Sequence, residues 1–162
     1  MAKTLLLIRH AKSSWEGDNI PDFDRPLNDR GKRDAPEMAR RLVKKKQAID
    51  LFVSSPAKRA KRTAEYFAHE FNVDEDKILF IPRLYHAARL DFVETIQGLS
   101  DKQREVAIFS HNPGITDFAS SLTSTRIDNM PTCAIIAFKI MTDRWAEFET
   151  SEKTFLFFDY QK

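Results

Sequence analysis

The sequence predicts an α/β fold: a three-layer α/β/α sandwich with a mainly parallel central sheet and antiparallel strands added near the C-terminus. Three observations carry this. Short apolar runs without helical period alternate with segments that have one. Serine or asparagine followed by proline stands after two of those runs, as at a strand-to-helix junction. After Pro131 the alternation stops, and strand-like segments follow one another directly. At 162 residues the chain fits one domain, 1–162, long enough to bury a core without disulfides or a metal.

The elements follow in order. Thr4 to Ile8 is a short apolar run that suits a strand buried on both faces. A polar loop spans Arg9 to about Arg30. A helix is expected from about Gly31, with Ala35, Met38, Ala39, Leu42 and Val43 on one face and Asn28 placed to cap it. Its end, Lys44 to Lys46, suits a solvated helix C-terminus better than a binding patch. Leu51 to Val53 is the second strand. Ser55 and Pro56 open a helix whose buried stripe is Ala57, Ala60, Ala64, Phe67, Ala68 and Phe71. Ile78 to Ile81 reads as a third strand, Asp91 to Leu99 as an amphipathic helix, and Val106 to Phe109 as a fourth strand. Asn112 and Pro113 start another helix, with Ile115, Phe118, Ala119 and Leu122 inward. Cys133 to Ile140, Trp145 to Glu149 and Thr154 to Tyr160 are the late strands.

Composition narrows the function. A formal net charge of +2 does not suggest a nucleic-acid binder. The single cysteine, Cys133, rules out an intramolecular disulfide framework and fits a reducing compartment. Arg9 and His10 interrupt the N-terminal apolar run Leu5 to Ile8, short of the roughly seven apolar residues of a secretory core and the roughly twenty of a membrane span. A cytoplasmic, unanchored protein is expected.

In open α/β sheets ligands bind beyond the carboxyl ends of the strands. There the sequence delivers Arg9 and His10, then Ser54 and Ser55 with Arg59 a turn later, then Tyr85 and His86, then Ser110, His111 and Asn112. Three of the four histidines fall on this rim; His69, between Ala68 and Glu70, suits a solvated helix surface. Any one of these residues alone would be read as capping or solvating the rim, but agreement among several strand ends points to a site. Guanidinium forks match phosphoryl oxygens in bidentate fashion, and a helix start at Asn112-Pro113-Gly114 offers amides to an anion. A neutral imidazole among such cations can attack phosphorus. No His-x-His, His-Glu-x-x-His or carboxylate-histidine cluster stands at ligand spacing, so neither metal nor cofactor is expected. Ser54 and Ser55 lack a Gly-x-Ser-x-Gly elbow. Lys58, Lys61 and Arg62 suit a solvated helix face, and Trp15 is either a cover for the pocket or an anchor for its loop.

Taken together, Arg9-His10-Ala11, Ser54-Ser55-Pro56 with Arg59-Ala60 and Thr63-Ala64, and Ser110-His111-Asn112-Pro113 resemble the histidine phosphatase superfamily, whose fold is phosphoglycerate mutase-like. Arg9-His10-Ala11-Lys12-Ser13-Ser14-Trp15, followed by Asp24-Arg25-Pro26-Leu27-Asn28 and Gly31, is closer still to the small SixA-type phosphohistidine phosphatases. The resemblance extends over nearly the whole chain, through Met130-Pro131-Thr132-Cys133. It implies His10 as nucleophile, carrying a phosphohistidine intermediate, with Arg9, Arg59 and His111 as the phosphate pocket. Asn112 and Ser13 join Arg9, Arg59 and His111 as expected substrate-binding residues. Larger relatives place a glutamate proton donor after the third strand; here Leu84-Tyr85-His86-Ala87 puts His86 near that position, as a candidate acid or as a rim histidine without catalytic duty. Three functions follow as alternatives: a phosphatase for a histidine-phosphorylated protein, a phosphatase or mutase for small phosphate esters, and a non-catalytic phosphate-binding module.

Overall fold

A computed structural model describes residues 2–17 and 19–162. Its centre is one six-stranded sheet, built from β1 (Lys3–Arg9), β2 (Leu51–Ser54), β3 (Leu79–Phe80), β4 (Glu105–Ser110), β5 (Ile135–Ile140) and β6 (Lys153–Asp159). The spatial order is β3-β2-β4-β1-β5-β6. Pairs β1/β4, β2/β4 and β2/β3 are parallel, whereas β5 runs antiparallel to β1 and β6 antiparallel to β5. The expected mainly parallel sheet with late antiparallel strands is the one observed.

Alternation along each strand sorts side chains into two cores. Leu6, Ile8, Phe52, Ala107, Phe109 and Ile135 face α1 (Asp29–Lys44) and α2 (Lys58–Glu70), meeting Met38, Leu42, Ala64 and Phe67. Leu5, Leu7, Val53, Val106, Ile108 and Ile136 face α3 (Arg89–Gln97) and α4 (Gly114–Ser121), meeting Phe92, Ile96, Ile115 and Phe118. Leu5 to Ile8 have no exposed surface, as a strand covered on both faces requires. Burial of a side chain of this size contributes about 1.5–3 kcal/mol.

Several local expectations are corrected. Trp145 to Glu149 is no strand but part of a 3₁₀ run, Trp145–Thr150. Trp145 and Phe148, three residues apart, are both fully buried, and a three-residue period brings both to one side. The third strand shrinks to Leu79–Phe80 at the sheet edge, where only one neighbour holds it. Val43 is 44% exposed, so the buried stripe of α1 ends at Leu42. Asn28 caps α1 as expected, its side chain accepting from the Gly31 amide at 2.9 Å. The α2 helix starts later than its proline suggests. The Ser55 hydroxyl accepts from the Ala57 amide at 3.2 Å, and regular helix begins at Lys58. Likewise α4 begins at Gly114, after a cis Asn112–Pro113 bond. His69 is exposed, as expected. Among the described residues no helix is long and apolar enough to cross a membrane.

Candidate active site

Parallel register determines which residues meet at the carboxyl end of the sheet. Arg9 lies opposite Ser110, and Ser54 opposite Phe109, so the residues that follow leave the sheet side by side. The His10 amide donates to the Ser110 carbonyl at 3.1 Å, and the Ser55 amide to the Phe109 carbonyl at 2.9 Å. One hydroxyl then ties α2 to the first loop: Thr63 donates to the Arg59 carbonyl at 2.8 Å and accepts from the Ala11 amide at 2.9 Å. The start of α1 presses against the same loop. A Cβ on Gly31 would stand 2.1 Å from the Lys12 carbonyl oxygen, so only glycine permits this approach.

These constraints form a cleft of about 180 Å³. Arg9, His10, Ser13, Arg59, His111 and Asn112, all named from the sequence, line it. Lys12, Trp15, Arg25 and Thr132 complete the wall. His10 and His111 are each 6% exposed, and their rings lie 5.1 Å apart at 51°. His10 Nδ1 lies 2.7 Å from the Ala11 carbonyl oxygen. A carbonyl only accepts, so Nδ1 carries the hydrogen and Nε2 keeps its lone pair. His111 Nε2 lies 2.8 Å from the Ser55 hydroxyl.

Electrostatics keep both imidazoles neutral. Burial first, then His111, and to a smaller extent Arg59 and Arg9, hold the His10 pKa well below the ordinary histidine value, against the opposing hydrogen bond to the Ala11 carbonyl. Burial and the Arg59 charge push His111 down to about 3, against the opposing pull of Asp22. Burial, with help from Arg59, also lowers Arg9. Arg9 Nη1 donates to the Met130 carbonyl at 3.0 Å, while Arg9 Nε and His111 Nδ1 are buried without a hydrogen-bond partner among the described residues. A cleft lined by three guanidiniums and two neutral imidazoles is built to receive an anion with several oxygens. Among the described residues no three His, Cys, Asp or Glu side chains stand close enough to hold a metal.

Sequence reasoning missed the organising role of Asp22. This residue lies in a 3₁₀ turn, Asp22–Asp24, of the first loop. Its carboxylate accepts from Arg25 at 3.0 Å, Arg59 at 3.1 Å and the Tyr85 hydroxyl at 2.7 Å, while its carbonyl accepts from Arg59 at 2.7 Å. The Tyr85 bond, then Arg25 and Arg59, hold the carboxyl far below the usual carboxylate range. Arg25 also donates to Ser13 Oγ and to the Ser14 carbonyl. Arg25 was visible only inside the Asp24-Arg25-Pro26 motif; an aspartate in a polar loop carries no signal of its partners.

Asn112 and His86, both named from the sequence, have surroundings that the sequence did not show. Asn112 lines the cleft, but its amide hydrogens serve Asn129 and the Met130 carbonyl, and its oxygen accepts from Thr116. It braces the wall rather than offering a free donor. The helix amides expected beside it also begin later, at Gly114. His86 is exposed, in the left-handed region at φ 59°, and lines a neighbouring hollow of about 460 Å³ shared with His111 and Asn112. Its ring lies 3.9 Å from that of Tyr85, and it lines the hollow but not the cleft, whereas His111 borders both. Gly114 permits this arrangement, since a Cβ there would meet the Ala87 carbonyl oxygen at 2.1 Å.

Comparison with known proteins agrees with this geometry. Residues 5–84 match the family model of the histidine phosphatase superfamily, branch 1. An uncharacterized chloroplastic protein of Arabidopsis thaliana is 30% identical over 157 residues, covering 91% of this chain and 71% of its own. SixA from Agrobacterium tumefaciens superposes with a TM-score of 0.82 at 22% identity, covering 99% of both chains. The protein histidine phosphatase SixA complexed with tungstate superposes at 0.79 and 23% identity, covering 96% of this chain and 95% of its own. This chain therefore belongs to the histidine phosphatase superfamily: its chemistry is that of a phosphatase, and its fold is that of the SixA structures.

Proposed function

We propose that residues 1–162 form one catalytic domain that removes phosphate from phosphohistidine on a signalling or phosphotransfer protein, with His10 as nucleophile. The observation that carries the reading is the fixed tautomer of a buried, neutral His10, whose Nδ1 is held by the Ala11 carbonyl and whose Nε2 is left free beside Arg9, Arg59 and His111. Nε2 attacks phosphorus, the substrate's P–N bond breaks, and the departing imidazole takes a proton. Water then attacks the phosphohistidine on His10, releasing phosphate and restoring the neutral ring. Arg9 and Arg59 balance charge on the transferring oxygens, with His111 and Ser13 offering hydrogen bonds.

The substrate class rests on the leaving group. An alkoxide needs a strong proton donor, whereas an imidazole, whose conjugate acid has a pKa of about 6.5, departs with little help. His111 is neutral, and the candidate donor position holds the exposed His86. The reaction uses no metal or cofactor, and the partner is a protein of the reducing cytoplasm rather than a nucleic acid or a membrane.

Turnover should pass through an acid-labile, alkali-stable phosphoenzyme that His10→Ala abolishes, with full activity retained in chelator. A His10→Ala variant with full activity would overturn the mechanism. For the substrate, kcat/KM for a histidine-phosphorylated protein should exceed that for 3-phosphoglycerate or sugar phosphates, and His86→Ala should slow alkyl esters more than phosphohistidine. Best turnover of alkyl phosphates, no more dependent on His86, would replace this reading with a small-ester phosphatase.

A further inference from the structure

Trp15 is 77% exposed, the largest exposure among the big hydrophobic side chains of the described residues, yet it is held in place. The Arg25 guanidinium lies 3.3 Å from the centroid of its ring. Arg25 is itself only 8% exposed and is fixed by Ser13 Oγ, the Ser14 carbonyl and the Asp22 carboxylate. One indole face thus rests on a guanidinium that cannot swing away, and much of the ring remains open to water. Trp15 and Arg25 bound two spaces at once. One is the cleft of His10, Arg9 and Arg59; the other is a hollow of about 130 Å³ continued by Gly17 and Ile20. That volume is comparable with the roughly 150 Å³ cavity that accepts a benzene ring.

An indole with one face on Arg25 and the other open to water forgoes much of the hydrophobic gain of burial, but because it is pinned it loses little entropy when a second ring stacks on it. From this geometry we infer that Trp15, with the hollow beyond it, is the subsite for the leaving group and selects phosphoryl compounds whose leaving group is a planar π ring: the imidazole of phosphohistidine, or an aryl ring. The inference rests on the phosphatase reading, since the phosphoryl group must sit on Arg9 and Arg59 for the ring to reach Trp15. The hollow beside His86 is not the ring site, because it holds no aromatic face other than the histidines.

The test uses two unreactive ligands of similar bulk, phenylphosphonate and cyclohexylphosphonate, with inorganic phosphate as reference, titrated calorimetrically into the wild type, Trp15→Phe and Trp15→Ala. The wild type should bind the planar ligand about three- to tenfold more tightly than the saturated one, the range expected of an aromatic pair. Trp15→Phe should keep most of that preference and Trp15→Ala should erase it. Emission gives a second readout: with Trp145 fully buried, phenylphosphonate should perturb the exposed indole and cyclohexylphosphonate should do so less. In turnover, the ratio of kcat/KM for a phosphohistidine peptide to that for an alkyl phosphate should fall three- to tenfold in Trp15→Ala. A fall for phenyl phosphate alone would give the subsite to aryl esters and remove phosphohistidine from it. Equal loss for all three ligands in Trp15→Ala would mean that Trp15 only steadies Arg25, and the subsite falls. Equal binding of both phosphonates by the wild type also overturns the subsite and leaves the His10 reading intact, whereas no binding of either, or of phosphate, sinks both.

Discussion

Acidification should destabilise this protein through His111. Its ordinary pKa is about 6.5 in an unfolded chain, and burial beside Arg59 lowers it to about 3 in the folded state. Below pH 6.5 the unfolded chain binds a proton that the folded protein refuses, so stability rises with pH across this window. The contribution is fully present above 6.5 and is lost as pH falls towards 3. One proton corresponds to a slope of about 1.4 kcal/mol per pH unit, so between pH 6.5 and 4.5 His111 alone removes about 2 kcal/mol. The ring is nearly enclosed, so solvent screening does little to reduce this. His10, lowered by the same causes, adds in the same direction. Glu105, raised by burial and Asp50, acts in the opposite sense above the ordinary glutamate range, and Asp22 withdraws its contribution only below about pH 4. Urea denaturation at pH 7.0, 6.0, 5.0 and 4.5, on wild type and His111→Asn, isolates the group. The wild type should lose stability more steeply by about one proton, roughly 1.4 kcal/mol per pH unit below pH 6. Parallel stability curves would refute the depressed pKa and, with it, the neutral state of the pocket.

Other outcomes follow from particular contacts. Thr63→Val removes the hydroxyl that accepts from the Ala11 amide and donates to the Arg59 carbonyl; a buried amide left unpaired costs about 1–3 kcal/mol, readable in urea denaturation, and turnover should fall with it. Asp22→Asn weakens the hold on both Arg25 and Arg59, and should raise KM roughly tenfold; an unchanged KM would show that the guanidiniums need no carboxylate to stay in place. Gly31→Ala drives a methyl into the Lys12 carbonyl, and should cost about 1–3 kcal/mol of stability and disturb the loop after His10.

How far the site is legible from the sequence can be judged from its residues. Arg9, His10, Arg59 and His111 could be named because each stands at the end of a strand or shortly after it, and parallel strands end on one side. Ser13 follows from the same stretch of chain as His10. Asp22 could not be named, because two of its three side-chain partners, Arg59 and Tyr85, come from distant parts of the chain. Asn112 was placed correctly on the wall, but the use of its amide depends on Met130 and Asn129, which only folding brings near.

The sequence by itself determined the architecture, since apolar period and cap residues are local properties: Leu5 to Ile8 is a two-faced strand, and Asn28 caps the first helix, wherever the rest of the chain goes. It failed at Trp145–Thr150, where aromatic content suggests a strand and the burial of Trp145 and Phe148 on one side demands a three-residue turn. Tertiary structure alone decided the state of the site. Neutral His10 and His111 and the anchored Arg59 depend on distances between residues far apart in the chain, and the pinned Trp15 on how the first loop folds back on itself. Desolvation and Coulomb energy act through space, and no local pattern of residues encodes them.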